Sequence, residues 1–334
     1  MTDLEAIPTA TIDDIRSAAA RLRGKAVRTP LLESPLLNER VGGRLLVKPE
    51  VLQRTGSFKF RGAYNAISQI PQADRPKGVL AFSSGNHAQG VAAAAQLLGL
   101  PATIVMPHDA PAIKRANTEA YGAQVVTYRR PEEDREAVAA AIQAETGASL
   151  VKPYDDLRVI AGQGTVGLEI AEDVRAAGIA LDAVVVCTGG GGLTAGVATA
   201  IDAMLPATAV YAAEPAGFDD TRRSLAAGKR VANEPGGTSI CDAIMTPMPG
   251  ELTFAINSRL LAGGLAVTDA EVAAAMRAAF ETLKLVVEPG GAVALAAALS
   301  GKLDCRGRTV AVVLSGGNVD ASLYADILAG RIPA

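Results

Sequence analysis

The chain is 334 residues long, more than most single cores accommodate, which sets an expectation of about two domains. Hydrophobic residues at 49% with 20% charged describe a soluble globular protein with ample core. A net charge of −3 and the lack of any Lys/Arg block exclude a nucleic-acid partner, and no apolar run reaches membrane-spanning length.

The amino terminus, Met1-Thr2-Asp3-Leu4-Glu5, has neither the basic nor the apolar region of a signal peptide, so a cytoplasmic location is expected. Cys187, Cys241 and Cys305 are odd in number and far apart, a pattern of buried free thiols rather than of a disulfide framework or a zinc site.

Thr11-Ile12-Asp13-Asp14-Ile15 predicts a capped helix start, with Ile15, Ala18, Ala19 and Leu22 at helical spacing until Pro30 ends the region. Residues 44–48 predict a short strand, leading to Thr55-Gly56-Ser57-Phe58-Lys59-Phe60-Arg61-Gly62-Ala63. Here one lysine stands between two of the chain's six phenylalanines. An ammonium among apolar groups loses hydration, so its pKa falls and the neutral amine becomes a nucleophile able to form a Schiff base. A snorkelling lysine whose stem covers apolar surface fits the same stretch. Residues 60–70 read as helix, which places Lys59 near a helix start.

Residues 78–82 predict a strand that feeds Ser83-Ser84-Gly85-Asn86-His87 and then an Ala-rich helix over 88–98. Hydroxyls, an amide and free backbone N–H groups at a helix N-terminus suit a carboxylate, although an ordinary N-cap turn has the same composition. A strand over 102–106, a helix over 110–121, a strand over 124–128 and a helix over 132–146 follow. This alternation recurs after Lys152 and predicts parallel βαβ units with helices on both faces of a sheet.

The β-branched run Ala183-Val184-Val185-Val186-Cys187-Thr188 opens into Gly189, Gly190, Gly191, Gly192 and Leu193. Four glycines between strand and helix let successive N–H groups and the helix dipole cradle a phosphate, where a flexible turn is the plainer alternative. The run is neither G-x-G-x-x-G nor G-x-x-x-x-G-K-[ST], which disfavours a dinucleotide or a P-loop nucleotide. A strand over 207–212 ends in Glu214-Pro215-Ala216-Gly217-Phe218-Asp219-Asp220, whose carboxylates could hold a hard divalent cation, although by themselves they read more simply as solvated loop charges. Loops are marked by Pro235-Gly236-Gly237 and Pro247-Met248-Pro249-Gly250. Thr268-Asp269-Ala270-Glu271 is a capping box before a helix over 272–283, and an apolar helix opens after Glu288-Pro289-Gly290-Gly291. A buried strand over 310–314 ends at Ser315-Gly316-Gly317-Asn318. Ser83, Gly189 and Ser315 thus fall at the carboxyl ends of predicted strands, where ligands gather in open α/β sheets.

With the lysine stretch, the S-S-G-N-H loop, the glycine run and S-G-G-N in this order, the chain from about Asp13 to Asp320 resembles the fold-type II pyridoxal-phosphate enzymes. Within them it is most similar to the serine/threonine dehydratase (threonine ammonia-lyase) and serine racemase group. The resemblance implies an α/β protein of two doubly wound parallel-sheet domains, tryptophan synthase β-like, with the cofactor in the cleft. The large domain would be residues 1–67 and 154–334, and the small mobile domain residues 68–153. Pyridoxal 5′-phosphate would be held by Lys59 as Schiff-base lysine, Phe58 beside the ring, Asn86 at the ring hydroxyl and Ser315 at the pyridine nitrogen. Gly189, Gly190, Gly191, Gly192 and Leu193 would take its phosphate through backbone N–H groups. A neutral serine at the pyridine nitrogen does not force protonation there, which favours β-elimination over other fates of the substrate.

Ser83, Ser84, Asn86 and His87 would receive the substrate carboxylate, with His87 equally a structural donor at the helix start. The implied reaction converts L-threonine or L-serine into a 2-oxo acid and ammonia, with Lys59 as the general base. Ser84 stands where many threonine dehydratases have alanine and racemases have an acid/base serine, which admits serine racemisation. Arg135, in Asp134-Arg135-Glu136, aligns with a racemase arginine and admits the second carboxylate of 3-hydroxyaspartate, or is an exposed helix-face residue. Glu214, the carbonyl of Phe218 and Asp220 match the racemase divalent-cation site, implying Mg²⁺ or Ca²⁺. A homodimer follows from the same resemblance. Ser239-Ile240-Cys241-Asp242-Ala243, where relatives often show an Ala-Asp-Gly-type segment, and Gly290-Gly291 depart from the family pattern and leave side-chain specificity open. The chain stops soon after Asn318, so no carboxy-terminal regulatory domain or isoleucine feedback is expected. Two alternatives are a β-replacement enzyme such as a cysteine synthase, disfavoured because those resemble T-S-G-N-T at residues 83–87, and a non-catalytic phosphate-ligand module with a structural Lys59.

Overall fold

Among the residues that the computed structural model describes, 7–83, 85–110, 112–129 and 132–332, ten strands group into two sheets. The strands are β1 (Leu32–Glu33), β2 (Arg44–Pro49), β3 (Val79–Phe82), β4 (Ala102–Pro107), β5 (Gln124–Tyr128), β6 (Ser149–Leu150), β7 (Ala183–Cys187), β8 (Ala209–Pro215), β9 (Gly263–Val267) and β10 (Thr309–Leu314). One sheet runs β1-β2-β10-β7-β8-β9 and the other β5-β4-β3-β6. Only the β1–β2 pair is antiparallel. Parallel neighbours need crossovers, and the helices supply them. These are α1 (Ile12–Leu22), α2 (Pro35–Val41), α3 (Lys59–Ser68), α4 (Asn86–Leu98), α5 (Ala112–Ala120), α6 (Arg135–Thr146), α7 (Leu157–Ala176), α8 (Gly192–Met204), α9 (Asp220–Ala227), α10 (Glu251–Leu260), α11 (Asp269–Ala278), α12 (Pro289–Leu299) and α13 (Ala321–Leu328).

Central strands covered on both faces have no polar side to alternate with, which is why β7 and β10 read as near-continuous apolar runs. One face of the six-stranded sheet packs on Val272, Met276, Val293 and Leu295 of α11 and α12, and the other on Val166, Ile170, Leu193 and Val197 of α7 and α8. The four-stranded sheet is likewise covered, by Phe60, Ile67 and Val91 of α3 and α4 on one face and by Ala139 and Ile142 of α6 on the other. The expected doubly wound α/β architecture is therefore present in both sheets.

Several elements begin or end where capping dictates. Thr11 and Asp14 form the capping box of α1. α6 starts only at Arg135, because Asp134 accepts from the N–H groups of Glu136 and Ala137. The helix expected over 272–283 is α11 followed by a π-helical turn (Ala279–Leu283) that closes on Lys284 at φ +60°. The short elements α2, α9, α10, α13, β1, β6 and β9 are additions to the sequence reading.

α3 is wedged between α4 and α7. A side chain at Gly162 of α7 would bring its Cβ to 2.6 Å from the Arg61 carbonyl, so only glycine permits this crossing. Below the crossing lies a buried ion cluster. Arg61 meets Glu50 (Nε to Oε2, 2.7 Å) and Glu169 (Nη1 to Oε1, 2.7 Å), and Lys48 also meets Glu169 at 2.7 Å. Thr29 donates to Glu50 at 2.7 Å, so the cluster ties α3, α7 and β2 together. Cys187, Cys241 and Cys305 are buried and free, and no described helix is long and apolar enough to cross a membrane.

Candidate active site

The start of α3, the β3–α4 junction, the β7–α8 junction and the end of β10 converge on a cavity of about 880 Å³. Phe58, Lys59, Ser83, Asn86, His87, Arg135, Gly189, Gly190, Gly191, Gly192, Leu193 and Ser315 all line it. Ser84 lies outside the described residues. Glu214, Phe218 and Asp220 stand apart, at the end of β8 and the start of α9.

Lys59 begins α3, two residues after Ser57, which bridges to Gly316 beyond β10. The Phe58 N–H donates to the Ser315 carbonyl at 3.1 Å, which holds the lysine stretch against the end of β10. Lys59 Nζ donates to the Pro153 carbonyl at 2.9 Å and lies 5.1 Å from the centre of the Phe58 ring. It has no carboxylate in salt-bridge reach among the described residues. Burial pushes its pKa down to about 8, and the more distant charge of Glu288 only partly opposes this. An amine in that state is available as a nucleophile and base near neutral pH.

At the β7–α8 junction Gly191 adopts φ +89°, a left-handed cap that glycine takes without strain. The Gly190 carbonyl accepts from Thr253 Oγ1 at 2.7 Å, and the Gly191 carbonyl from Asn257 Nδ2 at 3.3 Å. In a trans peptide, fixing the carbonyl toward α10 turns the following N–H the opposite way. Gly191 caps α8 and Gly192 opens it, so their N–H groups belong to a helix N-terminus, the end at which the dipole favours an anion.

At the β3–α4 junction the Gly85 N–H donates to Ser83 Oγ at 3.2 Å, and Asn86 opens the α4 helix. His87 Nε2 faces the Val151 carbonyl at 2.8 Å; a carbonyl only accepts, so Nε2 carries the ring proton. Burial pushes the imidazole pKa down to about 3, so the ring is neutral and its single N–H is spent on Val151. Of the two roles open to His87 in the sequence, this geometry is that of the structural donor. Arg135 stacks over the Phe82 ring at 5.4 Å and, among the described residues, pairs with no carboxylate.

Several lining residues had no signal in the sequence. Glu288 is buried at the start of α12, accepts from Asn86 Nδ2 at 2.6 Å, and is pushed up to about 7 chiefly by burial. Lys114 of α5 reaches Asp242 at 3.0 Å across the cleft. The Tyr154 ring lies directly on the Gly190 backbone, 2.4 Å from where a Cβ would stand.

Outside the cavity, the Glu214 oxygens accept from the N–H groups of Thr221 and Arg222, both at 2.9 Å. Asp220 Oδ1 accepts from Asn233 at 2.7 Å, while its buried Oδ2 has no partner among the described residues. Burial first, then the neighbouring Asp220, pushes Glu214 up to about 8; burial pushes Asp220 up to about 6. Asp219, the third carboxylate of this turn, is instead neutralised by Arg222 and Arg223.

Known proteins resemble this chain along nearly their whole length. The chain is 44% identical to the L-threo-3-hydroxyaspartate ammonia-lyase of Saccharomyces cerevisiae, over 96% of this chain and 97% of that one. It is 41% identical to the serine racemase of Schizosaccharomyces pombe, over 98% and 99%. Among solved structures, maize serine racemase superposes with a TM-score of 0.90 at 39% identity, covering 97% of this chain and 98% of that one. The match to the pyridoxal-phosphate-dependent enzymes spans residues 22–316, and the chain belongs to that family.

Proposed function

We propose that this protein is a pyridoxal-phosphate-dependent ammonia-lyase that converts L-threonine or L-serine to the 2-oxo acid and ammonia. The observation that carries the reading is Lys59, an amine without a salt-bridge partner among the described residues and with its pKa pushed down to about 8, in one cavity with the glycine cradle and Ser315. The residues fit the cofactor: the cradle at the start of α8 suits its phosphate, Ser315 its pyridine nitrogen, Asn86 its ring hydroxyl and Phe58 the edge of its ring. When bound, the cofactor supplies an electron sink that acidifies the substrate Cα–H. Lys59 Nζ takes the Cα proton, and Ser83, Ser84 and the backbone N–H of Asn86 at the N-terminus of α4 orient the substrate carboxylate. Loss of the β-hydroxyl leaves a dehydrated product that water converts to the 2-oxo acid and ammonia.

A second reading, 3-hydroxyaspartate as substrate, is favoured by Arg135, which lines the cavity and has no carboxylate partner among the described residues. Release of 2-oxo acid from L-serine, D-serine, L-threonine and the 3-hydroxyaspartate isomers tests both. Under the second reading Arg135→Met raises KM for 3-hydroxyaspartate at least about tenfold and leaves threonine unaffected, the loss of one charge-assisted pair. No oxo acid from any of them would overturn the lyase reading and leave racemisation, with Ser84 as the acid/base, β-replacement or a non-catalytic phosphate-ligand module.

A divalent cation, Mg²⁺ or Ca²⁺, held by Glu214, the Phe218 carbonyl and Asp220, is supported by Asp220 Oδ2, which has no partner among the described residues, and by two buried carboxyls that a cation would keep ionised. Chelation should then lower the melting temperature by several degrees, restored by Mg²⁺; an unchanged melting curve sinks this site. The reading is completed by a cytoplasmic homodimer, supported for its compartment by three unpaired thiols and checked for its assembly by sedimentation.

A further inference from the structure

The motif after β10 ends in Asn318, which no part of the proposed reaction uses. We propose that Asn318 is a positioning residue: it locks the Asn86 carboxamide in one orientation, so that Asn86 presents only a hydrogen-bond donor to the cavity. A ligand oxygen meeting Asn86 is then held as an acceptor, which favours its deprotonated form over its neutral one.

The orientation follows from a fixed point on the backbone. The Thr55 carbonyl can only accept, and Asn318 Nδ2 donates to it at 2.8 Å. The second N–H of the same nitrogen goes to Asn86 Oδ1 at 2.6 Å. Asn86 oxygen is thus committed, and its NH₂ group faces the other way. One of those two hydrogens goes to Glu288 Oε1 at 2.6 Å, which leaves one N–H for the cavity that Asn86 lines. Turning the amide over would set NH₂ against NH₂ at Asn318 and oxygen against oxygen at Glu288. Protonation of Glu288 relieves only the second clash, so Asn318 decides the orientation in either state of that carboxyl.

The backbone is shaped around this chain of amides. A Cβ at Gly316 would lie 2.0 Å from Glu288 Oε1 and 3.0 Å from Asn86 Nδ2, and at Gly56 it would lie 2.8 Å from Asn318 Oδ1. Thr55 itself holds φ +65°, a left-handed conformation that a β-branched residue rarely adopts. The turn before Lys59, the start of α4 and the segment after β10 are therefore registered to one another through Asn318.

The inference rests on the cofactor reading above, in which the oxygen is the ring hydroxyl. Its test is Asn318→Asp, which replaces a donor by an oxygen facing two acceptors. Apo-protein is titrated with pyridoxal 5′-phosphate and, separately, with the 3-deoxy analogue that lacks the ring hydroxyl. For the natural cofactor Kd should rise about tenfold, and the pH midpoint of its visible absorbance band should move up by about one unit, both corresponding to one lost donor to an anion. For the deoxy analogue the variant and the parent should bind alike. Equal weakening of both ligands marks a merely structural role and overturns the inference, as does an unchanged Kd and band midpoint. If Asn318→Asp fails to fold by circular dichroism, Asn318→Ala removes the donor without adding charge and should shift the same quantities in the same direction. A parent protein that develops no band at all sinks the cofactor reading itself, an outcome distinct from a parent that binds and a variant that binds equally well.

Discussion

Lys59 and Arg61 stand two residues apart at the start of α3, Arg61 fully buried and Lys59 half-buried at the cavity wall, and the loss of water acts on them in opposite ways. Arg61 is met by two carboxylates, Glu50 and Glu169, so its charge is held far above any accessible pH and Glu50 is kept ionised below its usual range. Lys59 has a carbonyl and a phenyl ring beside it, so desolvation goes unopposed nearby and its pKa falls to about 8. A helix places successive positions on different faces, and that alone turns one cation toward a neutralising core and the next toward a cavity. Reactivity here comes from a counter-ion withheld, and rigidity from counter-ions supplied.

The contrast breaks first at Lys59. Lys59→Ala should abolish the visible cofactor band and lower turnover about 10²–10⁴-fold through loss of the base alone, with the fold retained by circular dichroism. Wild-type turnover in that variant would remove Lys59 from the chemistry. Arg61→Met should do the reverse, lowering stability by about 3–5 kcal/mol in urea titration, because Glu50 and Glu169 are left buried without their partner. Arg61→Lys should fall between, since a point charge cannot replace two bidentate contacts; stability equal to wild type in Arg61→Met would show that the cluster contributes nothing.

A smaller effect sharpens the comparison through pH. The folded Lys59 releases its proton near pH 8, and the unfolded lysine near 10.5. Between these values the unfolded apo-protein binds more protons, so stability rises with pH; the contribution is full above about 10.5 and is lost as pH falls through about 8. Lys59→Met should flatten that slope relative to wild type. Parallel stability curves for the two proteins would mean that Lys59 is not desolvated.

Much of the frame was legible because its signals are local. Continuous apolar runs announced the buried strands β7 and β10, glycines marked the β7–α8 junction, and Thr11 and Thr268 marked helix starts through capping boxes. The π-helical turn after α11 and the delayed start of α6 were not legible in the same detail, since both depend on hydrogen bonds that compete within a turn or two. His87 is instructive: its place in a polar loop is compatible with holding a carboxylate, but only the fold brings the Val151 carbonyl, 64 residues away, onto its ring nitrogen.

The sequence by itself determined the parallel α/β class, the strand ends at which ligand-binding groups gather, and the apolar setting of Lys59, because period, glycine content and neighbours in the chain are properties of short windows. Only the tertiary structure decided which charges meet. Glu169 reaches Arg61 from 108 residues away, Glu288 reaches Asn86 from 202 and Asn318 from 232, separations at which no local pattern constrains the approach. Hydrogen bonds act only at contact, and Coulomb energy weakens with distance and with water between the charges, so the chemistry of each group was settled when the sheets and helices brought those partners together.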